Sequence, residues 1–93
     1  MHIAVLSLRL HLEGCASLKE KRHRVSGLRE RFGRLPSVAV CESGDQDALQ
    51  RSEWSFVVVG GTRSLVDRQV AEIERFIAES VDARASERSL DFL

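Results

Sequence analysis

From Ser17 to Phe32 the chain reads SLKEKRHRVSGLRERF, and its apolar residues recur along one face of a helix. Leu18, Val25, Leu28 and Phe32 stand at offsets of zero, seven, ten and fourteen, and Leu35 continues the stripe. Ser17 with Glu20 makes a capping box at the start, and Gly33 and Pro36 end the segment. Such a stripe has to be buried against another element. One residue breaks it: on the helical wheel Lys21 falls between Phe32 and Leu28. Its stem must lie along apolar surface while its ammonium reaches an edge or a carboxylate. Glu42, Asp45 and Asp47 are the acidic groups nearest to hand in the segment that follows.

Strand signals surround this helix. From Ala4 to Leu12 every even position is apolar, with Ser7, Arg9 and His11 between the later ones, the alternation of a half-buried strand. Ser37–Ser43 and Glu53–Val59 read as two further strands joined through the polar DQDALQ segment. Gly60-Gly61-Thr62 then breaks the chain and offers an N-cap. Leu65 or Val66, Val70, Ile73 and Ile77 follow at helical spacing through Ser80, with Phe76 beside them, and Ser89–Leu93 reads as a last strand. The order β-α-β-β-α-β is the ferredoxin-like arrangement. Right-handed crossovers place both helices on one face of a four-stranded antiparallel sheet and leave the other open. Ninety-three residues suit a single domain, residues 1–93.

Lys plus Arg and Asp plus Glu are each 14, so net charge selects no partner and only its distribution can. No apolar run is long enough for a membrane span. The N-terminus lacks a basic start and is interrupted by Arg9 and His11, so it reads as a strand of a cytoplasmic protein. Cys15 and Cys41 lack the spacing of a metal site and read as two small buried thiols. G-x-S-x-G, H-E-x-x-H and phosphate-loop motifs are absent, and His2, His11 and His23 are scattered. The expectation is a protein with no catalytic residue, no metal and no cofactor.

Three constellations remain. Lys19, Lys21, Arg22, His23 and Arg24 crowd the helix N-terminus, where each exposed cation is disfavoured by about 0.3 to 1 kcal/mol. A phosphate-bearing partner such as RNA would offset that, as would Glu13, Glu20, Asp45, Asp47 or a second subunit. Asp45, Gln46, Asp47, Gln50 and Arg51 form a polar turn, in which ion pairs among Lys21, Asp45, Asp47 and Arg51 are favoured over acid–base chemistry. Trp54 and Phe56 lie on a central strand. Facing the helices they are core; facing outward with Ile3 and Val5 they make a self-association patch and a homodimer.

The leading apolar strand running into Ser17-Leu18-Lys19-Glu20-Lys21-Arg22, then Asp45-Gln46-Asp47 with Gln50-Arg51, and Arg75-Phe76-Ile77 late in the second helix together resemble the YlxP-like family. These are small bacterial proteins grouped as a domain of unknown function. The resemblance implies a ferredoxin-like fold and no established activity. Its members are often encoded near transcription and translation factors, which points to RNA or the ribosome. Ala48-Leu49 departs from the leucine and tryptophan often found there, and Trp54 lies further on. The expected function is a non-catalytic binding module contacting RNA through the basic helix. The alternative is a homo-oligomeric structural or regulatory protein that interacts through its open sheet face.

Overall fold

In the computed structural model, which describes residues Met1–Leu93, β1 (His2–His11) leads into α1 (Leu18–Phe32) and β2 (Val38–Gly44). The second half repeats the pattern as β3 (Arg51–Gly60), α2 (Arg63–Ser80) and β4 (Arg84–Phe92). The strands pair antiparallel in the order β2-β3-β1-β4, with both helices packed on one face. This is the ferredoxin-like topology that the element order predicts.

The strand periodicity of two and the helical periodicity of 3.6 meet in one core. Ala4, Leu6, Leu8 and Leu10 of β1 are buried beneath Val25, Leu28 and Phe32 of α1 and Val66, Val70, Ile73 and Ile77 of α2. Phe32 sits at the centre, edge-to-face with Phe56 of β3 at 5.9 Å and with Phe76 of α2 at 5.4 Å. Ser17 caps α1 by accepting from the Glu20 amide at 3.1 Å, and Thr62 caps α2 through the Leu65 amide at 3.2 Å.

Register decides the face of β3. Leu8 opposes Trp54 and Leu6 opposes Phe56, so both aromatics share the helix side with the β1 leucines and are buried. The interface expectation for Trp54 and Phe56 is thereby corrected: they are core. Leu18 is also displaced from the expected stripe, at 39% exposed, because Lys21 takes the inward position one turn later. Cys15 is buried as expected, whereas Cys41 is exposed on the face opposite the helices. β4 begins at Arg84, well before Ser89. It is an edge strand that forms by backbone pairing with β1 and needs no apolar alternation of its own.

Lys21 closes the structure between α1 and the β2–β3 connection. Its side chain is 3% exposed, and its Nζ donates to the carbonyls of Asp45 at 2.6 Å, Ala48 at 2.8 Å and Gln46 at 3.2 Å. A Glu42 carboxylate oxygen lies 3.1 Å away. That carboxylate also accepts from the Ser52 hydroxyl, which in turn accepts from Trp54 Nε1 at 2.8 Å. Asp45 turns the chain at φ 58°, in the left-handed region that Asp tolerates better than most residues. The ion pair of Lys21 is thus made with Glu42, while the DQD segment contributes its carbonyls and not its carboxylates. Asp45 pairs through its carboxylate with Arg9 at 3.6 Å. Asp47 and Arg51 are exposed and form no ion pair, which corrects that part of the expectation.

Two variants test these dependences. Lys21→Met leaves the Glu42 carboxylate and three carbonyls without their cation and is expected to destabilise the fold by about 3 to 5 kcal/mol in urea titration. A loss under about 1 kcal/mol would show that the ammonium is not an anchor. Phe32→Ala removes the ring shared by both helices and β3, and the same titration should show a loss of about 3 to 5 kcal/mol.

Candidate functional site

The basic cluster at the start of α1 divides into two sets. Lys19, Arg22 and His23 are exposed. Lys21 is enclosed, as described above, and Arg24 is largely occupied as well. The Arg24 side chain, 11% exposed, reaches the Asp82 carbonyl at 2.8 Å, the Glu13 carbonyl at 3.0 Å and the carboxylates of Glu20 and Asp82 at 3.2 Å each. It pins the β1–α1 and α2–β4 connections together. Lys21 and Arg24 are therefore structural cations, which corrects their assignment to a nucleic-acid surface.

The exposed cations continue further along α1. Arg22, Ser26 and Arg29 stand at i, i+4 and i+7, and together with Arg34 they line a groove of about 450 Å³ between the helix and the β2–β3 edge. Val25 and the rim of Trp54 complete its wall, with Glu30 and Glu42 as its acidic members. The Arg29 guanidinium lies 5.6 Å from the centre of the Trp54 ring, so a cation–π contact holds it at the groove. α1 carries six Lys and Arg against two Glu, whereas α2 carries three Arg against four acids, so the helical layer is basic on one side only. Arg29 and Arg34 escaped sequence reasoning, although the seven-residue step from Arg22 to Arg29 was readable. The approach of Trp54 was not, since it depends on the β3 register.

The sheet face away from the helices is banded along the strands. Ile3, Val5, Val57 and Val59 make an apolar end, with Val57 38% exposed. A hydroxyl row follows, in which Ser55 Oγ lies 2.8 Å from Ser7 and 2.7 Å from Ser43. Next comes Arg9, ringed by Glu87 at 3.4 Å, Asp45 at 3.6 Å and Glu53 at 3.7 Å. Among the ionisable groups Arg88, on β4, has its pKa raised, chiefly by its hydrogen bond to Glu74 at 2.9 Å and against an opposing desolvation. No group of three or more His, Cys, Asp or Glu side chains converges as a metal site.

Solved structures with similar folds include a de novo designed protein, Ferredog-Diesel, at 13% identity and TM-score 0.51, covering 96% of this chain and 83% of that one. A protein whose crystal structure carries the provisional description of chlorite dismutase matches at 19% identity and TM-score 0.58, covering 99% of this chain and 44% of that one. Identities this low speak for the fold alone. No curated protein matches the sequence. No helix is long and apolar enough to cross a membrane. The sequence profile of one family, described as Protein of unknown function (DUF503), matches residues 3–89 and so spans nearly the whole fold from β1 into β4. The chain belongs to that family.

Proposed function

We propose that this protein is a non-catalytic, cytoplasmic binding module that takes the phosphate backbone of RNA along the exposed face of α1. The observation that carries the reading is the arginine-lined groove of Arg22, Arg29 and Arg34, with Lys19 and His23 extending it toward the helix N-terminus. Arginine presents a planar fork of donors that matches phosphate oxygens in pairs. The step from Arg22 to Arg29 spans about 10 Å of helix, enough to engage more than one phosphate of an extended strand. Arg22, Arg29 and Arg34 take part in no ion pair within the chain, and they outnumber Glu30 and Glu42, the two carboxylates of the groove. The ionic partners within 4 Å of α1 cations belong to Lys21 and Arg24. The gene neighbourhood typical of YlxP-like proteins is consistent with an RNA partner.

The open sheet face supports a second reading, assembly of two copies. Four β-branched side chains, Ile3, Val5, Val57 and Val59, form its apolar end, and no element of this chain covers them. A pair joined there would be a homodimer with α1 on its outer surfaces.

The first reading is tested by titrating single-stranded RNA and following the emission of Trp54, the sole tryptophan, which borders the groove. Affinity should fall steeply with salt. In the Arg22→Ala/Arg29→Ala/Arg34→Ala variant the log–log salt slope should become shallower by about 2, since each phosphate contact on a single strand contributes about 0.7. Thermal melts of the variant check that its fold is intact. Unchanged affinity in the folded variant, or no binding at low salt, would remove the proposal.

A further inference from the structure

Across the strand order β2-β3-β1-β4 the open face presents successive rows. One row is Ala39, Val57, Val5 and Asp91; the next is Cys41, Ser55, Ser7 and Ser89; the third brings Glu53, Arg9 and Glu87 abreast. A half-turn about an axis lying over the open face, parallel to the strands and above the line midway between β3 and β1, sets β1 of one copy over β3 of the other and β4 over β2. Each row then meets its own copy in reverse order. On the two central strands Val5 meets Val57, Ser7 meets Ser55 and Arg9 meets Glu53, so apolar groups, hydroxyls and opposite charges match there, while at the edges Cys41 meets Ser89 and Ala39 meets Asp91. A half-turn about the perpendicular in-plane axis would instead lay the apolar end on the charged rows.

We infer that two copies of this chain pair face to face about the strand-parallel axis, with Arg9 of each copy reaching Glu53 of the other. The inference rests on the second reading above and adds the register. Arg9 supplies an independent observation. Its three carboxylate neighbours stand no closer than 3.4 Å, and its Nε, shielded from solvent, makes no hydrogen bond within the chain. An isologous contact presents the Glu53 carboxylate of each copy to the Arg9 guanidinium of the other, as an acceptor that the chain alone does not supply to Nε. At the far end His11 of each copy meets Arg51 of the other under the same rotation, with Arg84 beside them, so the contact ends at the Arg9 row, where the right-handed twist separates the sheets.

Sedimentation velocity on mixed charge variants tests the pairing. The wild-type chain should be a dimer. Arg9→Glu alone and Glu53→Arg alone each place like charges across the axis, and each should weaken association by about tenfold or more. An equimolar mixture of the two should recover the dimer, because both inter-chain pairs are complementary in the mixed species. The Arg9–Glu53 contact within each chain stays mismatched there, so recovery reports the inter-chain pair alone. Ser89→Cys gives a second readout that leaves the charges untouched. Cys41 and position 89 lie three strands apart within one chain, about 14 Å, yet face each other between copies. A short bismaleimide should therefore produce a covalent dimer from Ser89→Cys and not from the wild type. A monomeric wild-type chain overturns the pairing itself. A wild-type dimer with no recovery in the mixture, or no cross-link through Ser89→Cys, overturns this register while leaving self-association standing.

Discussion

The ammonium of Lys21 is the contact on which the arrangement of this fold depends. Helix α1 approaches the sheet with a charged residue at a position its periodicity reserves for an apolar one. The structure accommodates the charge by folding the β2–β3 connection around it, with three carbonyls and the Glu42 carboxylate converging on one nitrogen. A buried ion pair of this kind adds little net stability compared with an apolar substitute, but it is strongly directional. It specifies which loop conformation closes over α1. Through Glu42 and Ser52 the same network reaches Trp54 Nε1, and so it also fixes the indole that borders the arginine groove.

Each of the two surfaces available for partners is set by a different part of this scheme. The groove exists because α1 turns Val25, Leu28 and Phe32 inward, leaving Arg22 and Arg29 at its solvent edge. The banded sheet face exists because both crossovers are right-handed and place the helices on one side. The surfaces lie on opposite layers of the fold. A contact through the sheet would leave both grooves free, and occupation of a groove would leave the sheet free.

Much of the architecture was legible from periodicity and caps. The alternation from Ala4 to Leu12, the caps at Ser17 and Thr62 and the helical spacing of Val70, Ile73 and Ile77 lead directly to the element order. Even the anomaly was readable: a lysine inside an apolar stripe demands an acceptor, and Glu42 stood among the candidates. Legibility failed where the answer lies across the sheet. Every residue of the Phe56–Val59 run is apolar, so periodicity alone cannot say which alternate set points inward. Arg24 read as a surface cation because Asp82, which supplies both a carbonyl and a carboxylate to it, lies 58 residues further along the chain.

By itself, then, the sequence determined the kinds and order of the elements and the need to neutralise Lys21, because helical and strand periods and capping chemistry are local properties of the chain. Only the tertiary structure decided that Trp54 and Phe56 are core, that Cys41 is exposed and that the basic surface runs through Arg22, Arg29 and Arg34. Those outcomes rest on strand register and on the packing of α1 against β2 and β3, in which a shift of one residue moves every side chain to the opposite face.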